Sequence, residues 1–384
     1  MKAIELSERL TRDIETMHEE VIDLIKTLCK IPAPSHHEER RAEFIRDWLS
    51  QRGLSAQIDE AQNVLCVVGP KDADTVVIAA HTDTVFPDME PMPLYEEGNR
   101  LCCPGVGDDT TNLAAMLVMA AYLHQHGYRP RCTVVFAANS CEEGLGNLKG
   151  CKTIMRAFGP RVKAFISLDG GVDQICSRAV GSSRYSIVAR TQGGHSFANF
   201  GNRNAIEVLA RLTCALYDQS VPHIGGSLTT YNVGMISGGT SVNAIAQQAQ
   251  MLYEYRSDSA ACLSVMEDQF RAALREVVSD EARLEVELLG QRPCAGSVEP
   301  EAQHALESAC FDALRRYVGS TPTMCSGSTD CNIPLSMGVP SACFGVYRGE
   351  GAHTREEWID MSSITGGMKA AMSVLLNWFE EGEA

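Results

Sequence analysis

No apolar run in this chain approaches the roughly 18 residues that a membrane-spanning helix needs, so a helical membrane protein is excluded. Nor is there a cluster of lysine and arginine. With a formal net charge of -16, phosphate backbones and anionic lipid are repelled, so neither nucleic acid nor a membrane surface is expected as a partner. The first residues, MKAIELSERLTRDIETMHEE, read as a charged amphipathic helix without the apolar centre of a signal peptide, and a cytoplasmic location is expected. None of the fifteen cysteines lies in a C-x-x-C pair, which leaves a zinc knuckle or a thioredoxin-like site without support. Their odd number fits reduced core thiols better than disulfides. The vicinal Cys102-Cys103 pair reads as strand packing. Internal repeats and low-complexity stretches are also missing.

What is present is a recurring pattern of β-branched apolar runs that end in polar, metal-capable residues. TVVIAA leads into His81-Thr82-Asp83, TVVFAA into Glu142-Glu143, and AFISL into Asp169. Continuous apolar runs of this length suit strands buried on both faces, as in a mostly parallel sheet flanked by helices. Ligands of such sheets bind beyond the carboxyl ends of the strands. His, Glu and Asp at three strand ends therefore converge on one crevice. With Asp108 and His353 they make five potential ligands for a two-metal hydrolase.

At 384 residues the chain exceeds what one core usually supports, and two domains are expected. Residues 13 to 53 carry two helical patterns broken at Ile31-Pro32-Ala33-Pro34-Ser35, where Ser35 is placed to cap the second. From about Gly181 to Arg292 the order changes to strand, helix, strand, strand, helix, strand, the order of a small α+β sandwich. Because His353 follows it, this second domain, 181–292, reads as inserted into a first made of 1–180 and 293–384.

Each motif also has a plainer reading. His81 and Asp83 share a face of an extended strand, which places Asp83 to accept the second ring N–H of a ligating His81, but the pair equally fits an ordinary strand-end turn. Asp108-Asp109, in the loop CPGVGDDTTN, offers a carboxylate able to bridge two metals, and equally a helix N-cap. Adjacent Glu142 and Glu143 suit a division of labour between metal binding and the attacking water, or simply an acidic start to the next segment. His195 fits a turn between strand and helix, and Arg256 fits a surface residue paired with nearby acids.

Eight segments in order, AAHTDTVFP, PGVGDDTTN, CEEGLG, ISLDGG, QGGHSFANFGNRNAI, NVGMISGGTSVNAIA, STDCNIPLSMGVPSACFG and GAHTREEW, resemble the di-zinc exopeptidase family of peptidase T, glutamate carboxypeptidase and succinyl-diaminopimelate desuccinylase, and peptidase T-like members most. The resemblance implies that His81 and Asp169 hold one zinc, that Glu143 and His353 hold the other, and that Asp108 bridges them, with a cis peptide between Asp108 and Asp109. It further implies Glu142 as general base and Asp83 as the residue that orients His81. Cobalt and manganese are alternatives to zinc. The inserted domain would act as a lid and form a homodimer. In that dimer His195 would reach a neighbouring active site, while Asn243 and Arg256 would meet polar groups and a carboxylate of the substrate.

Two departures modify the expectation. Thr110 stands where many relatives carry Lys, leaving more negative charge around the bridge. Asp169, where carboxypeptidases and deacylases carry Glu, tilts the substrate towards di- or tripeptides with a free amino terminus. Rival readings are an N-acyl amino acid amidohydrolase, an inactive metal-binding scaffold on the same fold, and a thiol-based redox protein. The intact Glu142 weighs against the scaffold, and the scatter of cysteines against the redox protein.

Overall fold

The computed structural model describes residues 1–278 and 280–380. The chain divides into two compact units, Met1–Ala179 with Gly296–Ala384, and Val180–Ala295. The bounds drawn from sequence, 181 and 292, lie slightly inside the second unit.

The first unit is built on eight strands: β1 (Ala56–Ile58), β2 (Val64–Val68), β3 (Thr75–His81), β4 (Thr133–Asn139), β5 (Val162–Ser167), β6 (Gln174–Ala179), β7 (Thr323–Gly327) and β8 (Ser341–Cys343). Their spatial order is β1-β2-β4-β3-β5-β8-β6-β7. The central pairs β4·β3, β3·β5 and β5·β8 are parallel, as is β6·β7 at the edge. All seven residues of β3 and of β4 are buried. Side chains alternate across a strand, so Val76, Ile78 and Ala80 enter one core while Val77 and Ala79 enter the other. That double burial is why these strands read as unbroken apolar runs, and the α/β class inferred from them holds.

Helices cover both faces. His18–Cys29, Asn112–Gln125 and Ile364–Leu375 contribute to the larger core, and Lys149–Phe158 to the smaller. Asn112–Gln125 is apolar nearly all round, the composition of a helix enclosed by protein rather than lying at a surface.

The prolines at 32 and 34 separate His18–Cys29 from Glu39–Gln51, but the second helix starts with Glu38 at its N-cap position. Ser35 does not cap it. The Ser35 hydroxyl lies too early in the chain and donates instead to Asp83 Oδ2 at 2.6 Å.

The second unit is a four-stranded antiparallel sheet in the order Thr229–Gly238, Gln248–Ser257, Gly181–Thr191, Ala282–Arg292. Helices Ala205–Tyr217 and Ala260–Val277 start at Asn204 and Ser259, whose side chains accept the N–H groups of Ile206 and Cys262 and so satisfy otherwise orphaned donors. Tyr185, Ile187, Met251, Tyr253 and Tyr255 from the sheet meet Leu209, Leu212 and Phe270 from the helices in one core.

Candidate metal centre

β3 ends at His81, whose ring is buried. Its Nε2 lies 3.0 Å from Asp108 Oδ1, and its Nδ1 lies 3.0 Å from the backbone carbonyl of Asp83. The Asp83 carboxylate is slightly farther from Nδ1, at 3.4 Å. Its principal contacts are elsewhere. Oδ1 accepts the N–H of Glu142 at 2.9 Å and Oδ2 that of Glu143 at 3.0 Å, besides the Ser35 hydroxyl. Asp83 thus fixes the backbone of both acids as well as facing the histidine.

Asp108 sits at the cis peptide bond with Asp109. Gly105, with φ of 76°, turns the chain into this loop, and a Cβ there would meet Thr84 Cγ2 at 2.7 Å. Glu357, buried, clamps the loop by accepting the N–H groups of Gly105, Gly107 and Asp108, the last two at 2.9 and 2.8 Å. Asp109 turns inward. Its Oδ2 accepts the His81 N–H at 2.9 Å and its Oδ1 the Asn112 side-chain amide at 2.7 Å. Asn112 also donates to the Gly170 carbonyl at 3.0 Å and accepts the Val346 N–H at 2.7 Å, tying this loop to the one that carries Asp169.

The two oxygens of Asp108 face different imidazoles, since Oδ2 lies 2.9 Å from His353 Nε2. That same nitrogen is 3.2 Å from Glu143 Oε1. Two trios result, His81–Asp108–Asp169 and Asp108–Glu143–His353, each with donor atoms within 4.8 Å of one another, and Asp108 belongs to both. Glu142 joins His81 and Glu143 in a third.

Charge within the cluster is crowded. Burial, helped by Asp108, pushes the Asp169 carboxyl up to about 7, and burial pushes Asp109 up as well despite the nearby His81. Burial also opposes the charge on Asp108, yet hydrogen bonds from His353 and His81 hold it well below the usual carboxylate range. Contacts with Asp108 and Glu143 raise His353 to about 11. Buried carboxylates in this number require positive charge beside them. A mixed oxygen and imidazole donor set with one shared carboxylate is a fit for two divalent cations.

His195, Asn243 and Arg256 belong to the second unit. His195 is exposed in a short two-stranded ladder, paired with Ala244, and the backbone carbonyl of Asn243 accepts the Ser196 N–H at 2.9 Å. These two therefore share one corner. Arg256 lies on the main sheet of that unit, with Nε and Nη2 at 3.0 and 3.1 Å from the Glu254 carboxylate. Sequence reasoning overlooked Glu357, Asn112, Ser35 and Glu38, the last of which accepts the Cys141 N–H at 3.0 Å just before the acid pair. Glu357 and Asn112 lie inside segments already singled out, GAHTREEW and PGVGDDTTN. Local signals assign Ser35 to a helix cap rather than to Asp83, and Glu38 carries none.

A model of peptidase family M20/M25/M40 matches residues 77–377. The chain belongs to that family. This M20/M25/M40 member is accordingly a hydrolase of the metallopeptidase and amidohydrolase kind, acting on small substrates. It is 25% identical over 364 residues to the LysW-lysine hydrolase of Deinococcus radiodurans, covering 92% of this chain and 95% of the relative. Its fold matches aminopeptidase PepT from Bacillus cereus with a TM-score of 0.71 at 21% identity, covering 93% of this chain and 97% of that one. It also matches the Bacillus subtilis YXEP protein, described as a dinuclear metal binding peptidase of the M20 family, with a TM-score of 0.64 at 17% identity over 94% of this chain and 99% of that one.

Proposed function

We propose that this chain hydrolyses the amide bond of a di- or tripeptide with a free amino terminus, using two divalent metal ions. His81 and Asp169 would hold one ion and Glu143 and His353 the other, with Asp108 shared between them. The observation that carries this reading is the pair of donor trios meeting at Asp108, whose two carboxylate oxygens face different histidines. Zinc suits the mixed imidazole and carboxylate set, with cobalt and manganese as alternatives.

When bound, such a pair of ions polarises a carbonyl and makes water acidic enough to lose a proton near neutral pH. Glu142 takes that proton as the water attacks and returns it to the leaving amine. Asp83 holds the backbone N–H groups of Glu142 and Glu143, so both carboxylates leave the turn in fixed directions. Glu357 does the same for Asp108 through three N–H groups. The second unit is read as a lid and homodimer module in which His195 serves the neighbouring subunit's site by stabilising the oxyanion. Asn243 and Arg256 are read as contacts for polar substrate groups.

A second reading is an amidohydrolase that releases an amino acid from an acyl group, which the relationship to a LysW-lysine hydrolase favours. A panel of di- and tripeptides and N-acyl amino acids, assayed for released amine, separates the two. Chelator should abolish turnover, and zinc, cobalt or manganese should restore it. Full activity in protein stripped of metal would refute the proposal.

A further inference from the structure

The sheet that carries the metal centre also brings two cysteines together at its far edge. β7 is the edge strand and pairs in parallel with β6, and in that register Cys325 stands directly opposite Cys176. Their sulfurs are 3.0 Å apart. Both residues are only partly buried, whereas eleven of the fifteen cysteines are buried. Gly327 closes one side, because a Cβ there would collide with Cys176 Sγ. Among the described residues no third His, Cys, Asp or Glu donor atom joins the two sulfurs within 4.8 Å, so the arrangement suits covalent pairing rather than a metal.

We infer that Cys176 and Cys325 form a reversible disulfide by exchange with a low-molecular-weight disulfide of the glutathione class, and that this bond is a redox-responsive staple between β6 and the edge strand β7. Cys325 is the attacking group. Its sulfur displaces one thiolate from the small disulfide and forms a mixed disulfide. Cys176, losing its proton to solvent, then attacks the Cys325 sulfur and expels the second thiolate. Two protein thiols and one small disulfide thus become one protein disulfide and two small thiols, with no electrons unaccounted for. Contact with Cys176 brings the Cys325 thiol down to about 7, while the same contact and burial push Cys176 up, which assigns attack to the first and resolution to the second. Residues directly opposite on paired strands have backbone separations within the range that disulfides span, so closing the sulfur gap needs side-chain rotation and little else.

The position gives the bond its consequence. The two cysteines are 149 residues apart in sequence, and all of Val180–Ala295 lies between them. Crosslinking would close that long loop in the unfolded chain, where a crosslink constrains most. It would also fasten the edge strand that leads into Ser328-Thr329-Asp330, whose Asp330 carboxylate accepts the Asn139 amide at 2.6 Å, at the end of the strand preceding the acid pair.

The test is to equilibrate the full-length protein across ratios of reduced to oxidised glutathione, quench in acid, block free thiols, digest and map by mass spectrometry. The expected result is a Cys176–Cys325 linked peptide with the loss of two of the fifteen thiols, reversed by dithiothreitol. Oxidised wild type should also melt at a higher temperature than reduced wild type. Both effects should vanish in Cys325→Ser and, as a second variant, Cys176→Ala. Because the mapping is done on wild type, a variant that fails to fold leaves the conclusion intact. Both cysteines recovered as separately blocked thiols at the most oxidising ratio would overturn the inference. So would glutathione held on Cys325 with Cys176 still free, or no change in melting temperature on crosslinking.

Discussion

At the scale of single residues, Glu142 and Glu357 separate chemistry from support. Glu142→Gln keeps size and shape but removes the proton acceptor. Turnover should fall by about 10²- to 10⁴-fold, the usual contribution of a general base, while the metal content stays that of wild type. Steady-state rates beside elemental analysis check this, and a variant that loses metal and rate together would move Glu142 into the ligand set. Glu357→Gln should do the reverse. Its carboxylate accepts three N–H groups, and an amide in its place turns one acceptor into a donor facing donors, at a cost of about 1–3 kcal/mol. The expected outcome is a lower thermal midpoint and weaker metal retention, with turnover per bound metal pair nearly unchanged. Much of the site was legible at this scale because metal-capable residues followed apolar strands. Asp83 was legible as a neighbour of His81, but not as the acceptor of two N–H groups from Glu142 and Glu143. That contact joins residues 59 and 60 positions apart, and only the pairing of strands brings them together.

At the scale of elements, burial on both faces made β3, β4 and β5 readable and left the flanking helices less so. Asn112–Gln125 announces itself by being apolar all round. Ser35 shows the limit of local rules, since its hydroxyl satisfies Asp83 rather than the nearby helix. In the second unit, the alternating strands predicted the sheet but gave no hint that Glu267, on helix Ala260–Val277, accepts the hydroxyls of Tyr185 and Tyr255 from the strands. Burial works against the Glu267 charge, but those hydroxyls and Arg271 outweigh it and leave the carboxyl below its ordinary 4.5. The folded state therefore holds its proton less tightly than the unfolded chain. The contribution is complete above the unfolded value of about 4.5 and is lost as pH falls through the lower folded one. Glu267→Gln should accordingly reduce the urea midpoint at pH 7 and make less difference near pH 3. A gap between variant and wild type that stays constant across that range would show that Glu267 ionisation contributes nothing.

At the scale of the molecule, the chain keeps its metal centre in one unit and the His195–Asn243 corner in the other, and the proposed homodimer gives that division a purpose. If His195 serves the neighbouring subunit, each active site needs Glu142 from one chain and His195 from its partner. His195→Ala and Glu142→Gln homodimers would then each lack one essential group at every site. Mixing the two under conditions that exchange subunits produces heterodimers in which one site pairs an intact Glu142 with an intact His195, and the other pairs both defects. In a twofold dimer with random exchange, half the molecules are mixed and each has one good site, so activity should recover to roughly a quarter of wild type. The rise should follow the rate of subunit exchange and stop when the mixture equilibrates. His195→Ala alone should retain its metal, which separates loss of oxyanion stabilisation from damage to the centre. Recovery that never exceeds the sum of the separate variants, in a mixture shown by mass to contain heterodimers, would place His195 outside the neighbour's site and leave the second unit with an assembly role alone.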